Sequence, residues 1–76
     1  MSKKVVMYTS NTCTYCDMAK EYFNANGIEF EEKNTSNPEY RKELLAIGVR
    51  SVPTIYVGDQ YMVGFDEGQF EELYKA

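Results

Sequence analysis

Hydrophobic and polar positions fall in short blocks, each suited to one kind of element. Val5-Val6-Met7-Tyr8 is a continuous apolar run, β-branched at its start, which predicts a strand buried on both faces. Thr9-Ser10-Asn11-Thr12 is a polar turn with several N-cap candidates. From Thr14 the period changes. Cys16, Ala19, Tyr22 and Phe23 share one face at i, i+3, i+4 spacing and predict a helix, which Asn26-Gly27 stops with Gly27 suited to a left-handed cap. Ile28-Glu29-Phe30-Glu31 alternates apolar and acidic positions and predicts a half-exposed strand. Acidic residues on such an edge resist edge-to-edge pairing.

Asn34-Thr35-Ser36-Asn37 predicts a loop, and Asn37-Pro38 a helix start with Pro at its first position. Tyr40, Leu44, Leu45 and Ile47 form that helix's apolar face, and Gly48 ends it. Thr54-Ile55-Tyr56-Val57 is a strand by composition, Gly58-Asp59 a two-residue turn of type II′, and Tyr61-Met62-Val63 the returning strand. Asp66 caps a last helix running to Ala76, with Gln69 as its capping-box partner and Phe70, Leu73 and Tyr74 as its buried face. The order is β-α-β-α-β-β-α: an α/β architecture with three helices on a four-stranded mixed sheet. The first two strands are parallel, as a βαβ unit requires, and the last two form an antiparallel hairpin.

Composition narrows the function. Seventy-six residues, 43% hydrophobic and 26% charged, make one small folded domain spanning 1–76. A net charge of −4 disfavours nucleic acid and anionic membranes, since phosphate contacts need clustered Lys and Arg. No apolar run approaches the ~20 residues that cross a bilayer. Lys3 and Lys4 precede only four apolar residues, too few for a signal peptide, so the chain reads as cytoplasmic. The absence of His removes imidazole bases and imidazole metal ligands together.

The chain has two cysteines, Cys13 and Cys16, and C-x-x-C in a cytoplasmic chain means redox chemistry or metal. With Cys13 at the N-cap or first turn of the first helix, Cys16 lies one turn on, at a separation a disulfide can span. Unpaired amides and the helix dipole then favour thiolate at Cys13. Cys16 lies on the apolar side and is more buried. Cys13 therefore attacks a substrate disulfide, and Cys16 attacks Cys13 to release the reduced substrate. Asp17 follows Cys16, so the activation is mild. A passive disulfide or two merely buried thiols is the plain alternative. Closed tetrahedral zinc wants four N or S ligands, whereas two sulfurs suit copper(I), and an iron–sulfur cluster would need outside ligands.

Tyr8-Thr9-Ser10-Asn11-Thr12-Cys13-Thr14-Tyr15-Cys16, then Ser51-Val52-Pro53, then Val63-Gly64-Phe65-Asp66, resembles the glutaredoxins over essentially the whole chain. The small glutaredoxin-like redoxins, some of which reduce ribonucleotide reductase, are the narrower likeness. The resemblance implies a thioredoxin fold with a cis Val52–Pro53 peptide beside the cysteines. The Val52 backbone would then meet an incoming extended peptide or glutathione. Pro53 alone would read as an ordinary strand-entry proline.

The resemblance further implies that Phe65 and Asp66 hold a substrate carboxylate through helix-start amides, and that Tyr15 covers one side of the groove. By itself Asp66 is a plain N-cap. Arg50 matches a family position that offers charge to an anion. Thr14 replaces the family's usual Pro between the cysteines, and Ser10 its frequent Lys, which pairs with a glutathione carboxylate. The implied protein works as a monomer on disulfide-containing proteins and needs no bound cofactor or metal. Its electrons come from glutathione or a thioredoxin reductase. A copper(I) metallochaperone is the main rival, although such proteins normally carry Met where Asn11 stands and end on a strand. An iron–sulfur cluster carrier is the other.

Overall fold

A computed structural model describes residues 4–75. The basic start at residues 1–3 and Ala76, the expected end of the last helix, lie outside the described residues. The order is β1 (Val5–Thr9), α1 (Thr14–Ala25), β2 (Glu31–Asn34), α2 (Pro38–Ala46), β3 (Thr54–Val57), β4 (Gln60–Val63) and α3 (Glu67–Lys75). The strands form one sheet in the order β2-β1-β3-β4. β1 runs parallel to β2 and antiparallel to β3, and β3–β4 is an antiparallel hairpin. At the hairpin turn Gly58 has φ +62 and Asp59 has none of the positive φ that a type I′ turn needs, which agrees with type II′.

The core lies on one face of this sheet. Val5, Met7, Ile55, Val57 and Met62 point to it from the strands, and Ala19, Phe23 and Phe70 close it from α1 and α3. Each fully buried ring contributes roughly 1.5–3 kcal/mol of transfer free energy. Phe23 packs its ring against those of Phe30, Phe70 and Phe65, at 5.0, 4.9 and 6.4 Å between centroids. Alternation along β1 sends Tyr8 to the opposite face, where its hydroxyl donates to Glu43 of α2 at 2.8 Å. Lys33 reaches the same carboxylate at 3.0 Å, so β1, β2 and α2 share one polar tie.

Five expectations from the sequence are corrected. The second strand begins at Glu31 rather than Ile28 and includes Asn34, which was expected in a loop. Its parallel ladder starts at Val6↔Glu31 and ends at Thr9↔Asn34. The amide of Ile28 instead closes the end of α1 by donating to the Phe23 carbonyl at 2.8 Å. Ile28 and Phe30 do pack against the core, so their alternation records burial without strand pairing. Thr9, expected in the turn, is the last residue of β1.

In α2 only Leu44, at 4% exposure, is buried, while Leu45 and Ile47 are 46% and 38% exposed. The helix has nine residues and turns little of its surface inward; Leu45 sits about 100° round from Leu44, and Ile47 is already the C-cap. At α3 only half of the capping box forms. The Gln69 amide donates to Asp66 Oδ1 at 3.0 Å, without a return bond from the Gln69 side chain.

Candidate functional site

Cys13 is the N-cap of α1, with extended backbone at φ −114 and ψ 105. Its Sγ accepts the Cys16 amide at 3.1 Å, so the sulfur fills the place usually taken by a Ser or Asp oxygen. The Asp17 amide donates to the Cys13 carbonyl at 3.3 Å and starts the helical ladder, and the Asp17 side chain is exposed. Cys13 and Cys16 form a disulfide with their Cα atoms 5.2 Å apart. Helical phase decides the difference between them. Cys16 shares the inward stripe with Ala19 and Phe23 and is 0% exposed, whereas Cys13 is half-buried at the open helix end. Tyr15 lies between them on the outer side, 61% exposed.

The strand leading to this loop is firmly held. Thr9 is fully buried, and its hydroxyl donates to Glu32 Oε2 at 2.8 Å. Its carbonyl accepts both the amide and the hydroxyl of Thr35, each at 2.8 Å. Lys20, one helical turn beyond Cys16, contacts the same Glu32 oxygen at 2.7 Å. The Lys20 ammonium holds the Glu32 carboxyl below the ordinary carboxylate range; partial burial opposes this, and the Thr9 bond reinforces it.

The Val52–Pro53 peptide is cis, and Pro53 is buried. Tyr8 pairs with Thr54 in the β1–β3 ladder. Continuing that antiparallel register brings Pro53 beside Thr9 and Val52 beside Ser10, at the foot of the cysteine loop. The Gly64 amide donates to the Pro53 carbonyl at 2.7 Å, which ties the β4–α3 loop to the same place. Gly64 holds φ +89, a conformation a side chain would resist.

The next residue, Phe65, turns its ring inward against Tyr22 and Phe23, with the Tyr22 centroid at 5.7 Å. Asp66 is exposed and caps α3. The amides of Phe65 and Asp66 donate to no described group. Tyr22 also bridges α1 to α3, its hydroxyl donating to Glu71 at 2.8 Å. Desolvation, together with that carboxylate, pushes the Tyr22 phenol up to about 12.

The fold therefore gathers the sequence-derived residues around one end of the sheet: Cys13, Cys16 and Tyr15 on α1, Val52 and Pro53 before β3, and Phe65 and Asp66 before α3. Beside them opens a groove of about 530 Å³, lined in part by Ser10, Arg41, Leu45, Val49, Arg50 and Val52. Arg50 was a sequence candidate, but Arg41 and Leu45 were not. A signal for Arg41 existed. Its helical neighbours at three and four residues are Asn37, Pro38, Leu44 and Leu45, none of them acidic. Among the described residues no group of three or more His, Cys, Asp or Glu could hold a metal ion, and no helix is long and apolar enough to cross a membrane.

The family model described as glutaredoxin matches residues 5–62. A protein named probable glutaredoxin from Synechocystis is 33% identical over 70 residues, covering 88% of this chain and 80% of that one. The glutaredoxin-like protein NrdH of Escherichia coli is 31% identical over 74 residues, covering 96% of this chain and 91% of its own. A solved structure of the E. coli NrdH-redoxin superposes with a TM-score of 0.83 at 31% identity, covering 96% of this chain and 97% of that one. Sheet order and superposition agree on a thioredoxin-like fold.

Proposed function

The chain belongs to the glutaredoxin family, and from that premise we propose that it is a dithiol reductase of protein disulfides, with Cys13 as nucleophile and Cys16 as resolving cysteine. The carrying observation is the asymmetry of the pair: Cys13 caps the open helix end and receives the Cys16 amide, while Cys16 is sealed beneath it. In the reduced protein the same amide and the unpaired first-turn amides favour thiolate at Cys13. That thiolate attacks one sulfur of the substrate disulfide. A Cys13–substrate disulfide forms, and the substrate's other sulfur leaves as a thiolate that takes up a proton. Cys16, losing its proton, then attacks Cys13 Sγ. The Cys13–Cys16 disulfide forms, the second substrate thiolate leaves, and two electrons have passed to the substrate.

The remaining site residues position the substrate. The Val52 backbone, placed by Pro53, pairs with an extended segment, as strand addition does. The free amides of Phe65 and Asp66 at the start of α3 receive a carboxylate. Tyr15 bounds the opposite side. Electrons return to Cys13–Cys16 from a thioredoxin reductase or from glutathione. Ser10, which lacks the charge of a lysine, favours the first, as does the thioredoxin-like activity profile ascribed to the E. coli NrdH-redoxin. Ribonucleotide reductase is one candidate acceptor. Insulin reduction, run once with thioredoxin reductase and once with glutathione and its reductase, tests the proposal. Turnover with at least one donor and none for Cys13→Ser is expected; turnover by Cys13→Ser would refute the assignment.

A further inference from the structure

Four of the chain's cations are spent on its own carboxylates. Lys4, Lys20, Lys33 and Lys75 contact Glu31, Glu32, Glu43 and Glu71 at 3.6, 2.7, 3.0 and 3.9 Å. Arg41 and Arg50 differ. Neither guanidinium has an ion pair or hydrogen-bond partner among the described residues, and both side chains line the groove beside Val52. They come from different elements, Arg41 from α2 and Arg50 from the α2–β3 connection, so helix periodicity does not account for their meeting.

The groove is also partly apolar. Leu45, Val49 and Val52 line it, and Leu45 is 46% exposed although its sequence position predicted burial. At the other end of the site, Asp66 and Glu67 are exposed at the start of α3. The site is thus cationic on its α2 side and anionic on its α3 side, within a protein of net charge −4.

Two unpaired guanidinium groups with an apolar strip in the same groove fit carboxylates carried on an extended chain. Arginine binds carboxylate through two parallel N–H bonds. We propose that this groove docks an acidic, extended segment of the substrate protein, with Asp or Glu side chains flanking its disulfide and an apolar residue set against Leu45 and Val49. The inference rests on the disulfide-reductase reading and names the class of protein that reading leaves open. One terminal carboxylate of a small thiol would leave the apolar strip of Leu45 and Val49 unused.

The test uses the pre-reduced protein and three synthetic disulfide peptides alike except for their flanks: acidic, serine-containing and lysine-containing. Single-turnover rates are followed as the Cys13–Cys16 disulfide forms. The acidic peptide should react about fivefold faster than the serine peptide at low salt, as two partly exposed charge contacts give, and the ratio should approach one near about 1 M salt. Arg41→Gln with Arg50→Gln should bring the low-salt ratio close to one. Arg41→Glu with Arg50→Glu should turn the preference toward the lysine peptide.

A wild-type ratio near one, or a ratio the double variants leave unchanged, would overturn the docking proposal while the reductase reading stood. So would slower reduction of glutathione disulfide by the double variants with the peptide ratio intact, because the groove would then belong to the small thiol. Failure of the wild type to reduce any peptide would sink the reductase reading and this one with it.

Discussion

Phe65→Ala tests how the core holds the site. The Phe65 ring is half-buried, with centroids 5.7 Å from Tyr22 and 6.4 Å from Phe23. Fully burying a Phe side chain stabilises by roughly 1.5–3 kcal/mol, so half-burial gives about 1 kcal/mol. Two tilted or edge-on ring contacts add about 1 kcal/mol together. The gap left is open to solvent on one side and fills with water, so no large cavity cost is added. The sum is about 2 kcal/mol, or a fall in Tm of about 10 °C for a domain of this size.

Urea unfolding of the oxidised protein measures the first figure and calorimetry the second. The functional effect should separate from the chemistry. Phe65 seats the loop whose Gly64 amide holds the Pro53 carbonyl, whereas Cys13 is capped within its own helix. Phe65→Ala should therefore slow reduction of a peptide disulfide while leaving alkylation of reduced Cys13 by iodoacetamide unchanged. A stability loss below about 0.5 kcal/mol, within the range of an ordinary surface change, would show that the ring is not seated as described. Alkylation falling in step with the peptide rate would show that the loop acts on the sulfur instead.

Three further outcomes are expected. Cys16→Ser should accumulate a mixed disulfide through Cys13, visible as an added mass lost on reduction; prompt release of product would remove Cys16 from the resolving role. Tyr22→Phe loses the bond to Glu71 and should be about 1 kcal/mol less stable near pH 8. The wild-type phenol titrates higher in the folded chain, about 12 against an ordinary 10.0, so its advantage is complete below pH 10 and should vanish as pH rises toward 12. Unfolding midpoints of the two proteins that stay parallel across that range would contradict this. Glu32→Gln keeps an acceptor for Thr9 but loses the Lys20 pair. The folded carboxyl lies below its ordinary 4.5, so the pair's contribution is present above that pH and lost below it. The stability gap between wild type and Glu32→Gln should be open at pH 7 and close as the solution is acidified, and a gap that widens on acidification would reverse the argument.

The sequence was most informative where one local rule decided the outcome. Helical phase separated Cys13 from Cys16, Asn37-Pro38 marked the start of α2, and Gly58-Asp59 marked the hairpin. It was least informative where a partner from elsewhere decided. The alternation at Ile28 and Phe30 is the same whether a residue faces a core or pairs in a ladder, and only β1 fixed the register at Glu31. Leu45 and Ile47 look like core residues until the short span of α2 is known. The cysteine pair was visible from its spacing alone. Its companions at Val52, Pro53, Phe65 and Asp66 lie far along the chain, and only family resemblance connected them beforehand. The grouping of Arg41 with Arg50 needed the fold, because no local pattern links a helix to the connection beyond it.

The central claim is that the sulfur at the start of α1 is held as the reactive one. Its most direct measurement is the pH dependence of iodoacetamide alkylation of the reduced protein, with the labelled cysteine mapped by mass spectrometry. The account predicts label on Cys13, half-maximal reactivity below the value of about 8.5 for free cysteine, and little label on Cys16 near neutral pH. Label divided equally between the two, or a Cys13 that reacts only above that value, would contradict it.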